Sequence, residues 1–251
     1  MQNVCRLEQV TKSYEGPKGE RVAVLEGLSL DIPTDGITVL LGESGCGKTT
    51  LLRLLAQLEQ ADAGSITYYN QTGSVWRPRI GLVFQEPRLM PWLDVKHNIT
   101  FHQDKPNWRQ AQDLIELMGL GGFADAYPDT LSGGMASRVA IARALAYEPE
   151  LLLMDEPFAA LDYYTRRALE EEMIALYLRR QVGLIFVTHD VEEALLLGQQ
   201  LVVMKPGAPP LLRQMKEAYP RRLESEALQA VKQEVLLMLD KGAEPSGHEA
   251  V

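Results

Sequence analysis

The sequence predicts an α/β protein: a parallel sheet covered by helices on both faces, with an antiparallel β region near the N-terminus and a small helical insertion. Compact apolar runs of strand length, at residues 37–41, 151–154 and 184–188, alternate with longer helical patterns, and strands without polar alternation are those buried on both faces. A glycine-rich turn follows the first run and opens a helix, the start of an α/β unit. Proline and glycine then divide the middle of the chain into short pieces of helical character.

Each element follows from local pattern. Residues 4–14 and 22–32 mix β-branched with polar side chains and are separated by Gly16, Pro17 and Gly19, which predicts two antiparallel strands. After the strand at 37–41, the leucines Leu51, Leu52, Leu54, Leu55 and Leu58 recur at helical spacing. Strand-like pieces follow at 65–69 and 80–84. From about 94 to 126 the pattern is helical and punctuated by Pro87, Pro91, Pro106 and Pro128, a small helical insertion. A helix rich in small residues runs over 132–147 and ends before Pro149. The buried strand 151–154 leads to a helix at 165–181, with Arg179 and Arg180 in its last turn and Gly183 as its stop, then to the strand 184–188. Residues 201–204 form one more strand, followed by Pro206, Pro209 and Pro210. Ser225 caps a last helix whose apolar stripe is Leu228, Val231, Val235 and Met238, and a frayed tail begins at Gly242. The expected division is a main domain over 1–215, with its insertion at about 87–148, and a C-terminal extension over 216–251.

Composition narrows the class of function. A chain of 251 residues with 24% charged and 46% apolar side chains has globular proportions and can bury a large core without disulfides. The net charge of −9 is opposite in sign to a surface that coats nucleic acid, so no nucleic-acid partner is expected. No run approaches the ~20 apolar residues of a membrane span, and the first residues lack the pattern of a signal peptide. Cys5 and Cys46 form neither a disulfide framework nor a zinc spacing, and a cytoplasmic location is expected.

The chemistry concentrates in a few motifs. Gly42-Glu43-Ser44-Gly45-Cys46-Gly47-Lys48-Thr49 fits the phosphate-loop pattern where a strand hands over to a helix. Gly45 and Gly47 let backbone N–H groups wrap phosphate oxygens, and the helix dipole adds to the field. Lys48 supplies a point charge, and the Thr49 hydroxyl a hard oxygen ligand for Mg²⁺. The run ending in Asp155-Glu156 supplies the acidic half: Asp155 for the metal ion, Glu156 for the water that attacks the terminal phosphate. His189 ends the next apolar strand and reaches the same sheet edge if the two strands are parallel neighbours, although a histidine at a strand end is by itself more often structural. Ser132 caps a helix whose first N–H groups, opened by Gly133 and Gly134, form a second anion site; Leu131-Ser132-Gly133-Gly134 taken alone reads as an ordinary capped helix start.

Tyr14, the phosphate loop, Gln85, the Leu131–Met135 signature, Asp155-Glu156, Ala160-Leu161-Asp162 and His189 occur in the order and spacing of the ATP-binding cassette family. The chain resembles the nucleotide-binding subunit of an ABC transporter over about residues 4–205. The run from Gln85 to Trp92 and the segment from Leu151 to Asp162 are most similar to the nitrate, sulfonate and taurine group of importers. The resemblance implies that residues 42–50, Thr50 included, cradle ATP, that Tyr14 stacks on adenine, and that Gln85 senses Mg²⁺ or water and links the core to the helical insertion. It further implies that Ser132, Gly133 and Gly134 bind the terminal phosphate held by a second copy of the chain, and that Asp162 crosses the seam between the copies. Leu89, Met90 and Trp92 would receive a short helix of a membrane permease; such apolar residues are as often plain core. Met135 and Ser137 stand where Gln is usual, and Ala159 where Gly is frequent. Ser137 is the departure that bears on the contacts of the signature helix.

The resulting expectation is an ATPase subunit of an importer, working as an ATP-dependent homodimer on the inner face of the cell membrane with a permease and, indirectly, a substrate-binding protein. ATP and Mg²⁺ are its expected ligands. Two rivals stand beside it: a soluble cassette ATPase of nucleic-acid maintenance or metal-cluster assembly, and a nucleotide-binding regulator without useful hydrolysis. The transported substrate is not written in this chain, since a permease and a binding protein select it.

Overall fold

The computed structural model describes residues 3–180 and 182–240. The chain enters as β1 (Val4–Glu15), β2 (Arg21–Pro33) and β3 (Ile37–Gly42), passes through the glycine turn into α1 (Lys48–Leu55), and returns as β4 (Ala63–Tyr69) and β5 (Ile80–Val83). Short helices α2 (Val95–Ile99) and α3 (Trp108–Leu117) precede α4 (Gly133–Ala146). The rest alternates: β6 (Leu151–Asp155), α5 (Tyr163–Arg180), β7 (Gly183–Thr188), α6 (Val191–Leu197), β8 (Gln200–Lys205), β9 (Ala208–Gln214) and α7 (Glu226–Asp240).

Two sheets result. One is antiparallel in the order β2-β1-β4, and the other has six strands in the order β5-β6-β7-β3-β8-β9. All pairs of the second sheet are parallel except β8 with β9. Its central strands send successive side chains to opposite faces, as the pleat requires. Leu152 and Met154 of β6, Leu184 and Phe186 of β7, and Leu201 and Val203 of β8 pack with helices α3 to α7. Leu151, Leu153, Ile185, Val187, Val202 and Met204 pack on the other face with α1 and the antiparallel sheet. Hence one layer carries the strands and α1, and the other carries most of the helices.

The structure corrects several readings. The helix after the phosphate loop stops at Leu55; Gln57 takes a left-handed φ of 57°, and Leu58, expected on the apolar stripe, is exposed. The helical pattern over 94–126 resolves into two short helices, α2 and α3. Gly183 is not a helix stop: it opens β7, where a Cβ would collide with the Thr34 carbonyl oxygen. Pro209 and Pro210 do not end the sheet, because β9 is an edge strand that tolerates missing N–H groups. The seven-residue α6 was not read from the pattern at all, being too short to show a period. Ser225 does cap α7, its Oγ accepting the Leu228 N–H at 3.3 Å, and Leu228, Val231 and Val235 join the core of the helical face. The tail from Gly242 and Gln181, the last residue of the expected 165–181 helix, lie outside the described residues.

Candidate active site

The phosphate loop runs from the end of β3 into α1. Gly45 and Gly47 take φ of 86° and 94°, in the left-handed region that glycine enters freely. Gly47 also has no room for a side chain, since a Cβ would lie 2.9 Å from Leu25 Cδ2 and 3.1 Å from the Val24 carbonyl oxygen. Gly47 caps α1 without a side-chain hydrogen bond, which leaves the first N–H groups of the helix for an anion. Lys48 is buried, and its Nζ donates to the carbonyl oxygens of Gly42 at 2.7 Å and Glu43 at 2.8 Å, so the ammonium is curled over the loop. Of the other loop residues, Cys46 and Thr50 are buried while Glu43, Ser44 and Thr49 are exposed.

The acidic residues arrive at the same edge because β6 and β7 are parallel neighbours, with Asp155 opposite Val187. Thr49 Oγ1 donates to Asp155 Oδ1 at 3.2 Å. Burial raises the Asp155 pKa and the adjacent Glu156 charge adds to the shift, against the hydrogen bond from Thr49. Thr49 and Asp155 therefore present two hard oxygens beside the phosphate loop, a donor set that fits Mg²⁺, which takes one or two protein oxygens and completes its shell with phosphate and water. Among the described residues no group of three or more His, Cys, Asp or Glu could hold a metal without such help.

Glu156 stands out conformationally. Its φ of 45° is left-handed, a strained position for a residue with a side chain. Its N–H donates to the Val187 carbonyl oxygen at 3.0 Å, which fastens the turn after β6 to β7. The side chain is held from two sides: His189 Nδ1 lies 3.1 Å from Oε1, and Gln85 Nε2 donates to Oε2 at 3.4 Å. A cleft of about 350 Å³ is lined by Lys48, Thr49, Gln85, Glu156, His189 and Val24, among others. Five of these six were expected from the sequence. Val24 was not, and an isolated valine in an antiparallel strand carries no signal that could have singled it out.

The signature residues do not line that cleft. Ser132 caps α4, its Oγ accepting the Met135 N–H at 3.2 Å, and Ser132 and Gly133 are exposed. Gly134 packs on the segment that follows β6, where a Cβ would lie 2.8 Å from Leu161 Cδ2. Ser137 is buried and donates to the Gly133 carbonyl oxygen at 3.1 Å, so the departure from Gln places a local support inside the helix start. Asp162 accepts the Thr165 N–H at 3.1 Å, and the hydroxyl and N–H of Thr165 depress its pKa. Tyr14, also outside the cleft, donates its hydroxyl to Glu59 Oε2 at 2.6 Å. The segment after Gln85 is braced by two residues that the sequence reading passed over. Arg143 donates to the carbonyls of Arg88 and Pro87, and the buried Asn98 accepts from Met90 N–H and donates to the carbonyls of Met90, Leu93 and Asp94. Leu89 packs partly on the core, whereas Trp92 is 68% exposed.

The chain is similar to known proteins. Residues 25–159 match the family model described as ABC transporter. An aliphatic sulfonates import ATP-binding protein, SsuB of Bacillus subtilis, is 42% identical over 231 residues, covering 89% of this chain and 90% of that protein. SsuB 1 of Pseudomonas syringae pv. syringae is 49% identical over 187 residues, covering 73% and 76%. Among solved structures, the ATP-binding cassette MJ0796, a dimer in a post-hydrolysis state bound to ADP and Pi, superposes with a TM-score of 0.75 at 27% identity, covering 85% of this chain and all of that one. These relatives do not favour the reading as a nucleic-acid or metal-cluster ATPase. With phosphate loop, acidic strand end, histidine and signature each in place, and with relatives that span nearly its whole length, the chain belongs to the ABC transporter family as one of its ATP-hydrolysing cassettes.

Proposed function

We propose that this cassette powers an importer and takes aliphatic sulfonates as its cargo class, with the chain docked on a membrane permease that a substrate-binding protein supplies. The likeness to sulfonate import cassettes at 42% and 49% identity supports the cargo class. Among the described residues no helix is long and apolar enough to cross a membrane; the cargo path is assigned to the permease, with this chain on the inner face of the membrane, by the likeness to importer ATP-binding subunits. The braced, partly exposed segment carrying Leu89, Met90 and Trp92 is the seat for a permease helix, and the insertion at about 87–148 is the unit that transmits movement to it. Residues 216–251 are a C-terminal extension, and its helix α7 packs on the core through Leu228, Val231 and Val235.

Hydrolysis needs two copies. Lys48 and the loop N–H groups would hold the β and γ phosphates, Thr49 and Asp155, with Gln85, would hold Mg²⁺, and Tyr14 would stack on the adenine. Ser132, Gly133 and Gly134 of the second copy face the γ phosphate from the opposite side, and Asp162 lies at the seam. Bound Mg²⁺ would neutralise developing charge on the phosphate oxygens. Glu156 accepts a proton from the attacking water, while His189 and Gln85 fix the carboxylate in place. The observation that carries this reading is Glu156, held in a strained backbone conformation between His189 and Gln85 beside Lys48 and Thr49.

The test is Glu156→Gln. Phosphate release should fall ~10²-fold or more while Mg-ATP still converts monomer to dimer on a sizing column. Full turnover in that variant would remove Glu156 as the base, and an ATP-bound monomer would remove the two-copy site.

A further inference from the structure

The structure assigns a role to an ion-pair network, formed by Arg166, Asp190 and Glu193, none of which lines the cleft. Arg166, on the first turn of α5, places Nη1 3.4 Å from Asp190 Oδ2 and 3.5 Å from Glu193 Oε1, and donates from Nη2 to the Leu161 carbonyl oxygen at 3.3 Å. Its Nε is buried and finds no partner within the described residues, so the side chain is held by its tip against the cost of a desolvated donor. Glu193 is buried, and its Oε2 accepts the Thr188 hydroxyl proton at 2.6 Å. Thr188 Oγ1 in turn accepts the Asp190 N–H at 3.0 Å, and Asp190 Oδ1 accepts the Glu192 N–H at 2.8 Å to cap α6. The two neighbours of His189 in the chain are thus pinned, and both lead to Arg166. On its other side Arg166 grips the carbonyl of Leu161, the residue that packs on signature Gly134.

We propose that Arg166 and Glu193 are positioning residues that couple the two half-sites of one chain: the Ser132–Gly134 end that meets the second copy's ATP, and the His189–Glu156 end that works on the chain's own ATP. A displacement of the Leu161 segment, where the signature rests, reaches Thr188 and Asp190 through one guanidinium and one carboxylate. Breaking the pair disconnects the two nucleotides of a dimer without removing any group that touches either. This inference rests on the head-to-tail dimer proposed above.

The test is the ATP dependence of phosphate release by the full chain, with Glu193→Gln and Arg166→Lys as separate variants and together. Glu193→Gln keeps an acceptor for Thr188 and the side-chain shape but loses the charge, and Arg166→Lys keeps the charge but cannot reach both carboxylates and the carbonyl. The expected result is a sigmoidal parent curve that turns hyperbolic in each variant. We expect kcat lower by about tenfold, little change in the half-saturating ATP concentration, and a double variant no worse than the worse single one. The same substitutions in the Glu156→Gln background should still form the ATP-dependent dimer. A drop in kcat with the sigmoidal shape intact, an unchanged rate, or a hyperbolic parent curve overturns the coupling role while leaving the dimer standing. Failure of Glu156→Gln alone to dimerise overturns the dimer reading and this one with it. Should one variant melt too early to assay, the other decides alone.

Discussion

The phosphate-loop end and the signature end of this chain are both helix N-termini, yet they are built differently. At the phosphate loop, Lys48, Thr49, Asp155, Glu156, His189 and Gln85 are connected to one another or to the loop backbone by hydrogen bonds. At the signature, the Ser132 hydroxyl bonds only its own helix among the described residues, and the adjoining glycine is exposed. On the reading proposed above, the first end carries the charge that holds and polarises a nucleotide. In the proposed two-copy site the second adds dipole and shape against a surface supplied by the other copy. Preorganised charge and late-arriving complementarity are thus assigned to opposite ends of one polypeptide.

Substitutions that separate the two ends should test this contrast. The largest effect is expected for Lys48→Ala, which removes the one buried cation of the loop: affinity for a fluorescent ATP analogue should fall by ~10² or more in the monomer. Retention of parental affinity would mean that backbone N–H groups alone suffice and that the ends are less unlike than described. Next comes Gly134→Ala, whose Cβ meets Leu161 Cδ2 at 2.8 Å. Monomer affinity for the analogue should stay within about twofold of the parent while phosphate release drops about tenfold. A loss of monomer binding instead would show that the signature end serves its own nucleotide. The smallest effect concerns α5, the helix between the ends. Glu170 is almost fully buried, and burial pushes its pKa up to about 7, against the opposing pull of Arg167 at 2.8 Å. A carboxyl whose folded pKa exceeds its unfolded value stabilises the fold at low pH and loses that contribution as pH rises from about 4.5 through about 7. Glu170→Gln should therefore be more stable than the parent by about 1 kcal/mol at pH 8 and lose that advantage by pH 5, read from urea melts at both values. A pH-independent difference would place the effect in packing rather than ionisation.

How much of this was legible beforehand depends on the kind of signal. The central strands could be read because burial on both faces leaves uninterrupted apolar runs, and the phosphate loop, Asp155-Glu156 and His189 because strand ends of a parallel sheet bring such groups to one edge. The parallel pairing of β6 with β7, on which the placement of His189 hung, is present. What escaped was short or tertiary. The helix α6 spans barely two turns, too few for a period to emerge, yet it carries Glu193. The edge strand β9 was hidden by its prolines, which an outer strand accepts on its unpaired side. Gly183 looked like a helix stop because it follows two arginines, whereas its reason is the approach of the Thr34 backbone from a strand far away in sequence. Asn98 and Arg143 hold the segment after Gln85 through backbone carbonyls, and such contacts leave no trace in residue order.

The left-handed backbone of Glu156 has one more implication. A side chain in that conformation costs about 1–2 kcal/mol that glycine would not incur. Drift toward Glu156→Gly would relieve that strain, set against the lost contacts to His189 and Gln85 and the freer unfolded chain, and its main penalty would be lost turnover. Copies of this chain released from their transport duty would be expected to decay first at this position, toward proteins that bind nucleotide and do nothing with it.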